Sequence, residues 1–209
     1  NVGKMGVQSN AAGAEGPLRT DSIGAAVVTI AHGFYTERSR AGKIFVASTP
    51  RAGILAAAAH LSPVAAAAAT LLTLYNPSGS NKLLSILRVT GDFISGTVEV
   101  GTYCWNFHNS CAITTAQAAA LTRCALITGA ASPDGSVARA YANEALTGGT
   151  VGLQGPNIGM WATAGTQRFD QMIDGLITVP QGGAATIAAP TNATSTVSAW
   201  SIWYEELDV

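Results

Sequence analysis

An all-β fold, an antiparallel β-sandwich of the jelly-roll kind with at most one or two short helices, is the architecture this sequence predicts. Three observations predict it. Short β-forming runs recur at intervals of roughly 8–15 residues, the spacing of sandwiches and barrels. Strong turn chemistry separates them, most clearly Tyr75-Asn76-Pro77-Ser78-Gly79-Ser80-Asn81-Lys82. There Pro77 fixes φ, Asn76 is expected to hydrogen-bond its own backbone, and Gly79 permits positive φ. Finally, two segments alternate with period two, at residues 97–107 and 195–207.

Residues 1–22 are rich in Gly, Ala and Ser without periodicity and read as a flexible N-terminal arm. Residues 23–209 read as a single β-sandwich domain, a length that sandwiches reach undivided. The first strands expected are residues 23–31 and 43–49, with Ile44-Phe45-Val46-Ala47 apolar on both faces. A polar, hairpin-like connection through Thr36-Glu37-Arg38-Ser39-Arg40-Ala41-Gly42 joins them.

The alanine runs 56–59 and 65–69 have the highest helix propensity of any residue. Ser62-Pro63 interrupts a continuous helix, so residues 44–48 and 71–75 read instead as two strands joined near His60. Leu83-Leu84-Ser85-Ile86-Leu87-Arg88-Val89 follows as another strand.

In residues 97–107, Tyr103, Trp105 and Phe107 share one face, while Val98, Val100 and Cys104 share the other. Residues 112–128 read as a helix, because Thr114 and Gln117 fit a capping box and Gly129 fits a C′ stop. Leu121, Cys124 and Ala125 would line its buried side.

Residues 129–170 read as irregular, punctuated by Ser132-Pro133-Asp134-Gly135, Gly148-Gly149 and Gly155-Pro156. Strands resume at 173–179 and 184–188 around Pro180-Gln181-Gly182-Gly183. In the last segment Trp200, Ile202 and Tyr204 fall on one side, and Ala199, Ser201, Trp203 and Glu205 on the other.

Composition narrows the function classes. Charged residues are 11% of the chain against a usual value of about 25%, and the net charge is −1 with the signs scattered. No basic stripe releases counterions from a phosphate backbone, so nucleic acid is not an expected partner. A low-charge surface favours close contact with protein, since few charges need desolvating. Residues 52–75 carry no Asp, Glu, Lys or Arg and are long enough to span a bilayer. Their hydrophobicity is mostly alanine, with His60, Ser62 and Pro63 at the centre, so no membrane is expected either.

The chain opens on Asn1, consistent with a removed initiator Met or a longer leader, and residues 1–22 hold no apolar signal core. Three cysteines make an odd count and read as reduced thiols of a protein assembled in a cytoplasm.

Candidate chemistry is thin. Cys104, His108, Cys111 and Cys124 are zinc donors by type, but their spacing departs from paired CxxC knuckles, and buried Cys serves more often as a small hydrophobe. His32, His60 and His108 are scattered, and no G-x-S-x-G elbow occurs. Asp170 with Asp174, and Glu205 with Glu206, are the closest carboxylate pairs, and solvated faces account for both. A hydrolase built on Asp170 or Asp174 is the weakest reading. No catalytic residue, cofactor or metal is expected. The Asn192-Ala193-Thr194 sequon carries little without secretion. Trp203, turned outward by alternation on a low-charge face, is the candidate anchor of a subunit contact, together with Arg19, Arg38 and Arg40.

The order of Gly42-Lys43-Ile44-Phe45-Val46-Ala47-Ser48, Leu74-Tyr75-Asn76-Pro77-Ser78-Gly79-Ser80, Ile177-Thr178-Val179-Pro180-Gln181-Gly182-Gly183 and Ser201-Ile202-Trp203-Tyr204-Glu205-Glu206 resembles virion structural proteins of tailed bacteriophages. The resemblance is to the β-sandwich kind that decorate or cement capsids, and spans residues 40–207 in outline. It implies a jelly-roll-like fold, a homotrimer on the capsid exterior bound to the major capsid protein, and no catalysis. The competing expectation is a carbohydrate-binding or fibre module in which aromatics such as Tyr103 or Trp161 stack on sugars.

Overall fold

A computed structural model describes residues 35–55, 69–97, 102–111, 121, 123–126, 135–142, 144–145, 153–160, 168–189 and 195–209. The chain divides into two compact units, residues 1–37 and residues 38–209, and both large sheets belong to the second. The expected arm and the expected strand at 23–31 lie outside the described residues, as do Arg19, His32, His60 and Trp161.

The first large sheet contains β1 (Ile44–Ser48), β5 (Lys82–Gly96), β7 (Arg123–Ala125), β11 (Arg168–Val179) and β13 (Thr196–Asp208), in the order β11-β5-β13-β1-β7. The short β2 (Ile54–Leu55) also pairs with β13. The second contains β4 (Leu72–Tyr75), β6 (Thr102–His108), β8 (Arg139–Tyr141), β10 (Leu153–Met160) and β12 (Ala184–Ala188), in the order β10-β6-β12-β4-β8. A two-stranded ribbon joins β3 (Ala69–Thr70) to β9 (Glu144–Ala145). Every pairing is antiparallel.

The order identifies the fold. Setting aside the short β2, β3, β7, β8 and β9, the main strands in chain order are β1, β4, β5, β6, β10, β11, β12 and β13. Numbered one to eight, they form sheets of order 1-8-3-6 and 2-7-4-5. Two interlocked Greek keys wound in this way are a jelly roll.

Aromatic side chains from both sheets fill the space between them. Trp200 of β13 lies 5.0 Å from the Tyr103 ring of β6 and 5.9 Å from Phe169 of β11 (centroid distances). Gly91 of β5 sits between Phe169 and Trp200 in register, and its missing side chain lets the two rings stack above it at 18°. Trp200, Ile202 and Tyr204 are buried, as the alternation predicts, and Tyr103 and Trp105 are buried opposite them. In the second sheet β4 and β12 are buried on both faces, which is why Leu72-Thr73-Leu74-Tyr75 and Ala184-Ala185-Thr186-Ile187-Ala188 carry no charge.

The turn at 76–81 crosses from the second sheet to the first. Its Asn76 side chain, expected to bond its own backbone, instead reaches more distant groups. The fully buried side chain donates from Nδ2 to the Lys82 carbonyl at 2.8 Å and the Val179 carbonyl at 2.9 Å, while Oδ1 accepts from Ser80 Oγ at 2.7 Å. The Asn76 amide also donates to Gly183 O and its carbonyl accepts from Gly182 N, so the 76–81 and 180–183 turns are tied together. Gly79 takes φ 76°, as expected, and Asn81 takes φ 53°.

Several expectations are corrected. The polar connection at 36–42 contains a short helix, α1 (Thr36–Arg40), ended by Gly42 at φ 66°. The strands expected at 44–48 and 71–75 are present as β1 and β4, and they belong to different sheets. The expected helix at 112–128 is overturned where it is described: Arg123–Ala125 is a strand paired with β1, and Leu121 bridges Ala140. There tertiary pairing with an open sheet edge outweighs local helix propensity. The stretch 129–170 holds β8, β9, β10 and the start of β11. Gly155 and Gly159 are strand residues: a Cβ at Gly155 would meet the Phe107 ring at 2.3 Å, and one at Gly159 the Phe169 ring at 2.4 Å.

Candidate functional site

The outward face of the first sheet carries the candidate anchor. Strand pairing aligns Cys124, Val46, Trp203, Arg88 and Met172 in one row across five strands. The adjacent row, Ala47, Ile202 and Val89, is buried in the core, so this row points away from it. Trp203 is therefore turned outward, where alternation places it, but it is half-buried beneath a neighbour. The Arg88 guanidinium stands 4.3 Å from its ring centroid. Arg88 is itself held by a two-pronged contact to Asp170, with Nε donating to Oδ1 at 2.7 Å and Nη2 donating to Oδ2. Hydrogen bonding from Arg88 holds the Asp170 carboxyl below the usual carboxylate range, and Arg168 adds to the effect. Arg168 also reaches Asp92 at 3.7 Å. Charge on this face is thus neutralised within the sheet, and Trp203 is a platform for Arg88.

Arg38 lies at the same face's end. Its Nε is 3.1 Å from Glu205 Oε1, and Glu205 is two residues beyond Trp203 on the same side of β13. The structure thus brings Arg38 and Trp203 to one face, with Arg40 exposed on α1. The carboxylate pairs separate. Asp170 binds Arg88, and Asp174 is exposed in a left-handed conformation at φ 51°. Glu205 and Glu206 are both buried, against the expectation of a solvated pair. Glu206 Oε1 accepts from Ser136 Oγ at 2.6 Å, Val137 N at 2.8 Å and Ala138 N at 3.2 Å, and Ser136 Oγ also hydrogen-bonds the Tyr204 hydroxyl at 2.7 Å. This carboxylate pins the segment entering β8 to the end of β13.

The sulfur-rich cluster does not assemble: among the described residues no three His, Cys, Asp or Glu side chains come together as metal ligands. Cys104 and Cys111 lie along β6 and just after it, in the second sheet, whereas Cys124 is exposed on β7 of the first. Cys111 donates to the Gly182 carbonyl at 3.6 Å, and burial pushes its thiol up to about 11. Burial also raises Cys104. Tyr103, expected as a sugar-stacking aromatic, is fully buried.

A second feature escaped the sequence reading. Between Met172 and Ile177, β11 places four residues opposite the single Leu87 of β5. Asp174 and Gly175 both take left-handed conformations there, at φ 51° and 83°. The next residue, Leu176, is 92% exposed. Beside it opens a groove of about 320 Å³ lined by apolar Phe107, Ile177, Val179, Pro180 and Ala184 and by polar His108, Asn109 and Thr178. The Asp174-Gly175 pair inside an apolar run was the available signal, since that dipeptide favours turns. No helix among the described residues is long and apolar enough to cross a membrane. No protein family, curated protein or solved structure matches the chain.

Proposed function

We propose that the chain is a virion structural protein, a decoration protein that binds the exterior of a capsid and stabilises the shell by bridging copies of the major capsid protein. The observation that carries this reading is the strand order 1-8-3-6 and 2-7-4-5, the winding found in viral capsid domains as well as lectins and cupins. The resemblance of the 42–48, 74–80, 177–183 and 201–206 strings to tailed-phage decoration proteins selects the first of these. Fold alone is an analogy, so the surface must also fit. It does: few charges need desolvating, and those on the outer sheet face are already paired with one another.

Its work is mechanical. Each contact needs only a standard interface of about 1,600 Å², because repetition over a shell supplies avidity. Contacts are made through faces and loops. The edges of the two large sheets are blunted: β7 and β8 have three residues each, and β10 and β11 are bulged. Assembly takes place in the host cytoplasm, where three unpaired thiols stay reduced. The carbohydrate-binding reading has thinner support, since Tyr103 is buried and Arg88 covers Trp203.

Co-sedimentation with empty shells tests the proposal. Saturable binding at a fixed ratio to the major capsid protein is the expected result. A chain that stays in the supernatant at every shell concentration overturns it.

A further inference from the structure

We infer that Asp174 is a covalent self-modification site, at which the Asp174–Gly175 peptide rearranges through a cyclic imide to an isoaspartyl linkage. The rearrangement releases and takes up only water, and it goes beyond the capsid reading and stands without it.

Three observations carry it. First, the bulge lifts this peptide out of the sheet register. Pairing jumps from Met172↔Arg88 to Ile177↔Ile86, β11 is the outermost strand of its sheet, and Asp174 is exposed to water. Second, the backbone is already turned part of the way. Closing a planar five-membered imide requires the Asp174 Cβ to eclipse the Gly175 nitrogen. Type II′ turns combine that geometry, a ψ of about −120°, with a φ of about +60°. Asp174 holds φ 51°, so one dihedral remains to rotate, whereas an aspartate in an extended strand must turn both. Third, the next residue leaves the attacking nitrogen unshielded. Gly175 has no Cβ, and the fold requires this, since its φ is 83° and a Cβ would stand 2.9 Å from Ser85 Oγ. Asp92, Asp170 and Asp208 instead precede Phe93, Gln171 and Val209. Asn81, which shares the left-handed φ at 53°, precedes Lys82.

Atoms balance without any co-reactant but water. The Gly175 nitrogen bonds to Asp174 Cγ and gives up its proton, the carboxyl releases its hydroxyl, and one water departs. Water then adds back to the imide. Opening at Cγ restores the aspartyl peptide. Opening at the α-carbonyl breaks the bond between Asp174 C and Gly175 N, leaving the chain joined through Cγ beside a free α-carboxylate. The charge is kept and the backbone gains one methylene. The pairs flanking the bulge, Met172 with Arg88 and Ile177 with Ile86, keep their register, because the excursion between them already holds four residues against one.

Peptide mapping of the full native chain, aged for several weeks in mildly acidic buffer, tests this, with electron-transfer fragmentation to tell isoaspartate from aspartate. Isoaspartate is expected at position 174, forming about tenfold or more faster than at Asp92, Asp170 or Asp208, together with a species lighter by one water. D174N is expected to convert about tenfold faster still, losing ammonia in place of water, and D174E to form none. Asn tolerates left-handed backbone, so D174N keeps the fold, which circular dichroism checks. If D174E does not fold, D174N carries the test. Because the fold supplies φ, the native chain is expected to convert at least as fast as the same chain unfolded in urea. Three results would each overturn the inference: a native chain without isoaspartate at position 174, an Asp174 that converts no faster than the other three aspartates, or a native rate several-fold below the unfolded one.

Discussion

Replacing Gly91 by Ala sets two opposed effects against each other. In a strand where φ is not positive, Gly→Ala ordinarily stabilises by about 0.4–1 kcal/mol, because the unfolded chain loses freedom. The packing predicts the opposite sign. A Cβ at Gly91 would stand 2.5 Å from Trp200 Cζ3, 2.6 Å from Cε3 and 2.7 Å from Cη2. The indole cannot yield easily, because Tyr103 and Phe169 hold it at 5.0 and 5.9 Å and its Nε1 donates to Ser198 Oγ at 2.9 Å. Overpacking of this kind costs about 1–3 kcal/mol. The net expectation is a loss of roughly 1–2 kcal/mol, a fall in Tm of roughly 2–8 °C for a chain of this size. Urea denaturation of the wild type, Gly91→Ala, Trp200→Phe and the double variant measures it. The Gly91→Ala cost should shrink by about 1 kcal/mol when Trp200 is already Phe, because the ring atoms it strikes have moved away. A Gly91→Ala protein as stable as the wild type, or more so, refutes the packing argument.

Four further outcomes follow from the same geometry. Asn76→Ala strands the Lys82 and Val179 carbonyls and should cost about 1–3 kcal/mol in urea denaturation, with no rescue from Asp, which cannot donate. Glu206→Ala leaves the Val137 amide without its acceptor, while the Ala138 amide keeps Ser136 Oγ at 3.1 Å, so it should destabilise by about 1–3 kcal/mol and raise hydrogen exchange at Val137. The lowered Asp170 carboxyl contributes stability above the ordinary carboxylate value of about 4, and that contribution is lost as pH falls through the folded-state value. Asp170→Asn should therefore lie slightly below the wild type at pH 7 and converge with it in strong acid, as acid titration followed by circular dichroism will show. A thiol reagent at pH 8 should label Cys124 quickly in the native protein and Cys104 and Cys111 only after denaturation, since Cys124 alone is exposed and burial raises the other two.

The elements legible in the sequence are those whose local signal and tertiary role coincide. Residues 184–188 read as a strand and are β12, because five uncharged residues between turn signals leave no other reading. Alternation in 195–207 assigned both faces of β13 correctly, since the core demands Trp200, Ile202 and Tyr204 on one side. Local signals misled where a distant partner decided the outcome. The Thr114 and Gln117 capping box pointed to a helix through Cys124, yet the free edge of β1 recruits Arg123–Ala125 as a strand. Gly155 and Pro156 read as a turn, but Gly155 keeps strand geometry because Phe107 fills the space above it.

At the candidate site, parity along β13 turned Trp203 outward, while the Arg88 that covers it comes from a strand more than a hundred residues earlier, a pairing no single-strand pattern carries. Glu206 looked solvated because charged residues near a chain end usually are; its buried role depends on Ser136, which lies 70 residues away in sequence.

Electron microscopy of the particle with which this chain purifies tests the central claim most directly. The account predicts density of jelly-roll size, repeated at equivalent positions over the outside of a protein shell. A chain that purifies free of any shell, and turns over a substrate in that state, would contradict it.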